Sequence, residues 1–130
     1  MKKTKNPNKI LNKQLKEICS KVVKQRDNYT CVKCKTTYPE GSRALTCSHF
    51  WSSTKWPTKW DLDNLDTLCL GCHTQAEHDK QGWYMSYKLE QLGPALYAEM
   101  EIRANQIAKW SQHEKELMLE QLEAKYEQSN

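Results

Sequence analysis

The chain has little of what builds a large hydrophobic core. Its 130 residues include one Phe and four Gly, 28% of them are charged, and the mean hydropathy is −0.92. A domain so poor in bulky apolar side chains needs another source of stability, and a metal staple is the usual one. No apolar run approaches the roughly 18 residues of a transmembrane helix. The N-terminus is basic but has no apolar stretch behind its charges, which argues against a secretory signal. No internal repeat or low-complexity tract is visible. These absences leave one small soluble domain with polar extensions, expected in a reducing, cytoplasmic compartment.

Six cysteines are present, and their spacing decides what they do. Cys31-Val-Lys-Cys34 and Cys69-Leu-Gly-Cys72 are two CxxC pairs. Thiolates two residues apart hold one Zn²⁺ from a tight knuckle, so Cys31, Cys34, Cys69 and Cys72 form a closed structural zinc set. A disulfide framework is the alternative; the paired spacing and the missing export signal argue against it. Cys19 lies next to an apolar stripe and reads as a core thiol. Cys47 reads the same way, with a ligand swap into the zinc set as its other possibility. His49, Asn64 and His73 are left over, and they look like a second site.

Charge is distributed unevenly. Residues 1–26 carry nine Lys and Arg against one Glu, so the N-terminal segment is strongly cationic, while residues 94–130 are mildly acidic. A basic arm suits a polyanion such as DNA, although a charge run of this kind also serves as a solvated helix face. Lys9, Lys13, Lys16 and Lys24 are its candidate phosphate contacts. The segment from Trp51 to Trp60 interleaves Trp, Ser, Thr and Lys. There Lys55 and Lys59 suit phosphates and Trp56 suits stacking on a base, with Arg43 a further candidate for phosphate.

The organisation expected is α+β. Asn6-Pro7 starts a helix over about residues 8–26, with Ile10, Leu11, Leu15, Ile18, Val22 and Val23 as its apolar stripe. Residues 43–50 read as a strand, with a short strand or turn near 61–65. The second knuckle opens a helix of about residues 70–81, ended at Gly82, and residues 83–92 are helical again. Gly93-Pro94 then begins one long helix reaching about residue 127. This divides the chain into a basic helical arm (1–26), a zinc-bound domain (27–92) and a long C-terminal helix (93–130). The broken apolar seam of that last helix leaves a homodimer through it as an expectation.

A His at a strand end, an Asn fifteen residues on and a His nine residues later, flanked by CxxC pairs, resemble the HNH (ββα-metal) nucleases. Within that group, C-x-x-C, C-S-H-F, W-D-x-D-N-L and L-C-x-x-C-H are most similar to the NinG/Rap phage recombination nucleases, which act on branched DNA. The resemblance covers roughly residues 29–97. It implies a small zinc-stapled, treble-clef-like domain that cleaves DNA with a divalent ion such as Mg²⁺, in the host cytosol if phage-encoded. By position, His49 matches the general base, Asn64 the residue that ties the loop to the strand, and His73 the ligand of the catalytic ion. Many HNH enzymes place Asp before the base, where this chain has Ser48. Ser48 itself, Glu77, Asp63, His78 and Asp79 are the candidates to complete the ion's shell. The rival expectation is a non-catalytic zinc module that binds nucleic acid or a protein.

Overall fold

Asn6 and Pro7 begin the first helix as their chemistry requires. In the computed structural model, which describes residues 6–128, α1 spans Pro7–Arg26 and the Asn6 side chain accepts from the Asn8 amide at 2.9 Å. Proline costs little there because its missing N–H would have had no helical partner. Leu11, Leu15, Ile18, Val22 and Val23 form the buried face together with Cys19, while Ile10 is left exposed. Lys2, Lys3 and Lys5 of the basic segment lie outside the described residues.

Strand β1 (Leu45–His49) pairs antiparallel with β2 (Leu65–Cys69), placing Cys47 opposite Thr67 and His49 opposite Leu65. The second strand comes later than expected. The place assigned to it, near 61–65, holds a 3-10 turn over Leu62–Asn64 whose start is capped by the Asp61 side chain, accepting from the Asp63 amide at 3.0 Å. The chain runs from β2 straight into α2 (Leu70–His78), giving a strand–strand–helix unit. α2 ends three residues short of the expected 81. A distorted turn over 80–84, kinked at Gly82, leads into α3 (Met85–Leu92). Gly93 then joins α3 to α4 (Pro94–Ala104) at φ +80°, a backbone region open to glycine and strained for any residue with a Cβ.

The single long C-terminal helix is not what forms. α4 ends at Ala104, residues 105–111 turn, and α5 spans Gln112–Gln128. Ser111 and Glu114 close a capping box: the Glu114 amide donates to Ser111 Oγ at 3.2 Å and the Ser111 amide to Glu114 Oε1 at 3.0 Å. The stripe of Met118, Leu122 and Tyr126 packs with α1 inside the chain, and Lys21 Nζ lies 5.9 Å from the centre of the Tyr126 ring. Among the described residues there are thus five α-helices and one two-stranded sheet, an α+β fold in which no helix is long and apolar enough to cross a membrane.

The sheet serves two apolar clusters. Leu45 and Leu68 join Phe50, Trp51, Tyr84, Tyr97 and Met100, where Phe50 meets Trp51 and Tyr84 edge-on at 4.8 and 4.9 Å. Leu65 joins Trp60 and the buried faces of α1 and α5. Beneath the sheet lies a polar cluster that the sequence did not announce. Lys88 and Asp66 are both fully buried and pair at 2.8 Å, and the Tyr84 hydroxyl donates to the same carboxylate oxygen at 2.8 Å. Arg26 pins the end of α1 to this region, donating to the Leu62 and Leu65 carbonyls at 3.0 and 2.8 Å.

Candidate functional site

The first knuckle is closed by backbone geometry. The Lys35 amide donates to the Cys31 carbonyl at 2.9 Å, which turns Lys35 to φ +63°, and Thr30 and Thr37 bridge the base of the loop. The Val32 amide donates to the Thr67 carbonyl at 3.0 Å and so lays this knuckle on β2. Cys69 ends β2 and Cys72 sits in the first turn of α2, so the second pair arrives from the strand–helix junction. All four sulfurs lie within 4.8 Å of one another, with Cys34 and Cys69 at 3.9 Å. Zinc–thiolate bonds of about 2.3 Å in a tetrahedron put sulfurs about 3.8 Å apart, so the spacing suits the ion. Hydrogen bonding with Thr36 draws the Cys34 thiol down to about 6, whereas burial pushes Cys72 up to about 12. A dication resolves that contest in favour of four thiolates. Cys47 is not part of the cluster.

A cleft of about 810 Å³ opens between α1, β1 and α2. Lys13, Lys16 and Lys24 line it from α1, and Lys59 lines it from the loop after β1. His49 of β1, with His73 and Glu77 of α2, lines it as well. Cys19 and Cys47 are in its wall too, and burial pushes both thiols up to about 12, which keeps them neutral and poor nucleophiles.

Hydrogen bonds assign the ring nitrogens of both histidines. His49 Nε2 is 2.9 Å from the Lys59 carbonyl, which can only accept, so Nε2 carries the proton and the neutral ring has its lone pair on Nδ1. Thr46 Oγ1 donates to the Leu68 carbonyl at 2.8 Å and therefore accepts from His73 Nδ1–H at 2.7 Å. That leaves the His73 lone pair on Nε2, 3.3 Å from Glu77 Oε1. Two acceptors at that distance need a proton or a cation between them. The donor set of His73 and Glu77 thus fits a divalent ion, with Thr46 fixing the tautomer.

Asn64 is fully buried and fully engaged. Its Oδ1 accepts from the Trp51 amide at 2.6 Å, and its Nδ2 donates to the Trp51 and Thr58 carbonyls at 2.9 and 3.0 Å. The Phe50 amide donates to its carbonyl at 3.0 Å. These bonds clamp the loop that follows His49 against the start of β2.

Ser48 is placed differently from expectation. It is 1% exposed and, with the Tyr84 proton committed to Asp66, its hydroxyl donates to the Tyr84 oxygen at 3.2 Å, so it belongs to the interior with Asp66 and not to the cleft. The alternation of a strand explains this: Cys47 and His49 face the cleft, and the residue between them must turn inward. His78 and Asp79 line a separate hollow with Lys33 and Trp83. Asp63 is exposed outside the cleft.

The remaining contacts divide. Arg43 and Lys9 are exposed and outside the cleft. Lys55 donates to Asn105 at 2.7 Å. Trp56 is half-buried, edge-on to Trp60 at 5.6 Å, with Lys59 Nζ 4.4 Å from its ring centre. Thr46 and Lys115 were not singled out by sequence reasoning. The only signal for Thr46 was its place three residues before His49 on the same strand. No family model, curated protein or solved structure matches the chain.

Proposed function

We propose that the chain is a metal-dependent DNA endonuclease of the HNH type, which hydrolyses phosphodiester bonds. The observation that carries this reading is one cleft shared by His49, His73, Glu77 and four lysines, beside a four-sulfur set that takes no part in it. His49 Nδ1 takes a proton from water as its oxygen attacks phosphorus, and the P–O3′ bond breaks. The Lys59 carbonyl, holding Nε2–H, supports the imidazolium that results. His73 and Glu77 would hold the divalent ion, which when bound stabilises charge on the phosphate and the leaving oxygen. The lysines neutralise the backbone on either side.

Supercoiled plasmid incubated with Mg²⁺, Mn²⁺ or Ni²⁺ tests the reading. The wild type should nick it, and His49→Ala should lose about 10²-fold or more in rate while keeping its zinc. Equal behaviour of the two proteins would reject hydrolysis in favour of a non-catalytic zinc module. One observation favours that rival: among the described residues, His73 and Glu77 alone are paired to hold the second ion, and Glu77 is 64% exposed. Branched DNA, the substrate suggested by the resemblance, should be cut faster than linear duplex in the same panel.

Thr46 is a positioning residue in this scheme. Thr46→Val should weaken Mn²⁺ binding to the zinc-loaded protein by about 10–100-fold, as loss of a ligand's hydrogen-bond partner does elsewhere. Titration calorimetry reads this without turnover. Thr46→Ser should restore binding, because it keeps the hydroxyl and drops only a methyl.

A further inference from the structure

Lys115 of α5 is 6% exposed, yet it makes no ion pair among the described residues. Lysine side chains covered to this degree normally pair their charge, whereas Lys115 Nζ, which is not among the buried unpartnered atoms, keeps access to solvent. The carboxylates nearest in sequence are engaged elsewhere: Glu114 caps α5 through Ser111, and Glu116 accepts from Gln112 at 3.0 Å. Asp61 is paired with Arg103.

Lys115 instead stands over aromatic rings that another lysine already uses. Its Nζ lies 5.4 Å from the centre of the Trp56 ring and 5.8 Å from that of Trp60. Lys59 Nζ lies 4.4 and 5.5 Å from the same two rings. Indole faces attract cations but do not neutralise them, so the two ammonium groups still repel. Lys16 adds to the same field: Lys59 is shifted down first by burial, then by Lys115 and Lys16. Three cations thus share one region, and none of them forms an ion pair with a carboxylate among the described residues. Lys16, Lys59 and Trp60 also line the cleft, and the Lys59 carbonyl is the partner of His49.

We propose that Lys16, Lys59 and Lys115 form a phosphate subsite, backed by the Trp56–Trp60 pair, that holds a backbone phosphate of nucleic acid beside the one cleaved. A phosphodiester brings one negative charge and two acceptor oxygens, which is what converging ammonium groups need. The inference rests on the nucleic-acid part of the proposed function and not on hydrolysis, so binding can be measured in a His49→Ala background whatever the plasmid assay shows.

In that background, binding of a DNA oligonucleotide is followed by anisotropy as salt is raised. Lys115→Met, which keeps the stem over the indoles, should weaken binding several-fold and lower the slope of log K against log salt by about one. Lys115→Arg should keep the slope, and an unchanged melting temperature would show that Lys115→Met folds. An unchanged slope in Lys115→Met overturns the subsite. Inorganic phosphate, titrated against Trp fluorescence, separates the two sources of the anion. Weak competition with the oligonucleotide is expected. Saturation by free phosphate more tightly than by DNA overturns the backbone assignment.

Discussion

Stripping the metal from this chain, or replacing Cys31 by Ser, is expected to abolish cooperative folding. Structural zinc in small domains contributes about 10–16 kcal/mol of apparent binding free energy, comparable to the whole stability of a typical domain at about 5–15 kcal/mol. The loss here reaches the core directly. Cys31 is fully buried and belongs to the cluster of Leu45, Phe50, Leu68 and Tyr84. Cys69 and Cys72 straddle the junction of β2 and α2, so the strand–helix unit that carries His73 would hang on the same ion. Circular dichroism melts with and without chelator, with metal content measured alongside, read the effect. Cys47→Ser is the control: it lies outside the four-sulfur set and should keep one zinc and a cooperative melt. A chelator-treated protein that melts as before would show that the four thiols are only core residues.

The four-cysteine cluster was legible because its signal is local: two CxxC pairs need only their own spacing to suggest a metal knuckle. The start of α1 was legible for the same reason, since Asn6, Pro7 and an apolar stripe act within a few residues of one another. The break between α4 and α5 carried a local signal too, in Ser111 and Glu114, but reading the apolar residues from Leu96 to Leu117 as one seam hid it. Leu96 and Met100 belong to one helix and Leu117 to another, so their common period was accidental.

β2 was misplaced for a different reason. Its residues Leu65, Asp66, Thr67 and Leu68 are all buried, so no polar and apolar alternation marks the strand. Asp66 and Thr67 look like loop residues until their partners are known. Those partners lie on α3 and at the end of α1, distant in sequence: Lys88 meets Asp66, and the Thr67 hydroxyl donates to the Val23 carbonyl at 3.3 Å. The inward turn of Ser48 follows from strand alternation; its partner there, Tyr84, is what distance hid. What the sequence could not express was pairing across distance.

The Asp66–Lys88 pair yields the second large effect. Lys88→Met should destabilise the zinc-loaded protein by about 3–5 kcal/mol, because removing one partner strands the other charge in a dry interior. Asp66 would keep only the Tyr84 hydroxyl on Oδ2, and its Oδ1 already has no hydrogen-bond partner among the described residues. Lys88 would fare no better after Asp66→Leu, left with the Asp63 carbonyl at 2.6 Å and Gln91 at 2.9 Å. The double variant should cost less than the sum of the two, which urea denaturation of all four proteins measures. Acidity supplies a further check. Burial pushes the Asp66 carboxyl up and the Lys88 ammonium down, and Lys88 is what restrains the carboxyl. Without Lys88 the carboxyl rises further, so the deficit is largest above the variant's folded pKa and shrinks as pH falls toward that of the wild type, which burial already holds above the unfolded value. A deficit that stays constant between neutral and mildly acidic pH would instead mark a packing defect, with no stranded charge behind it.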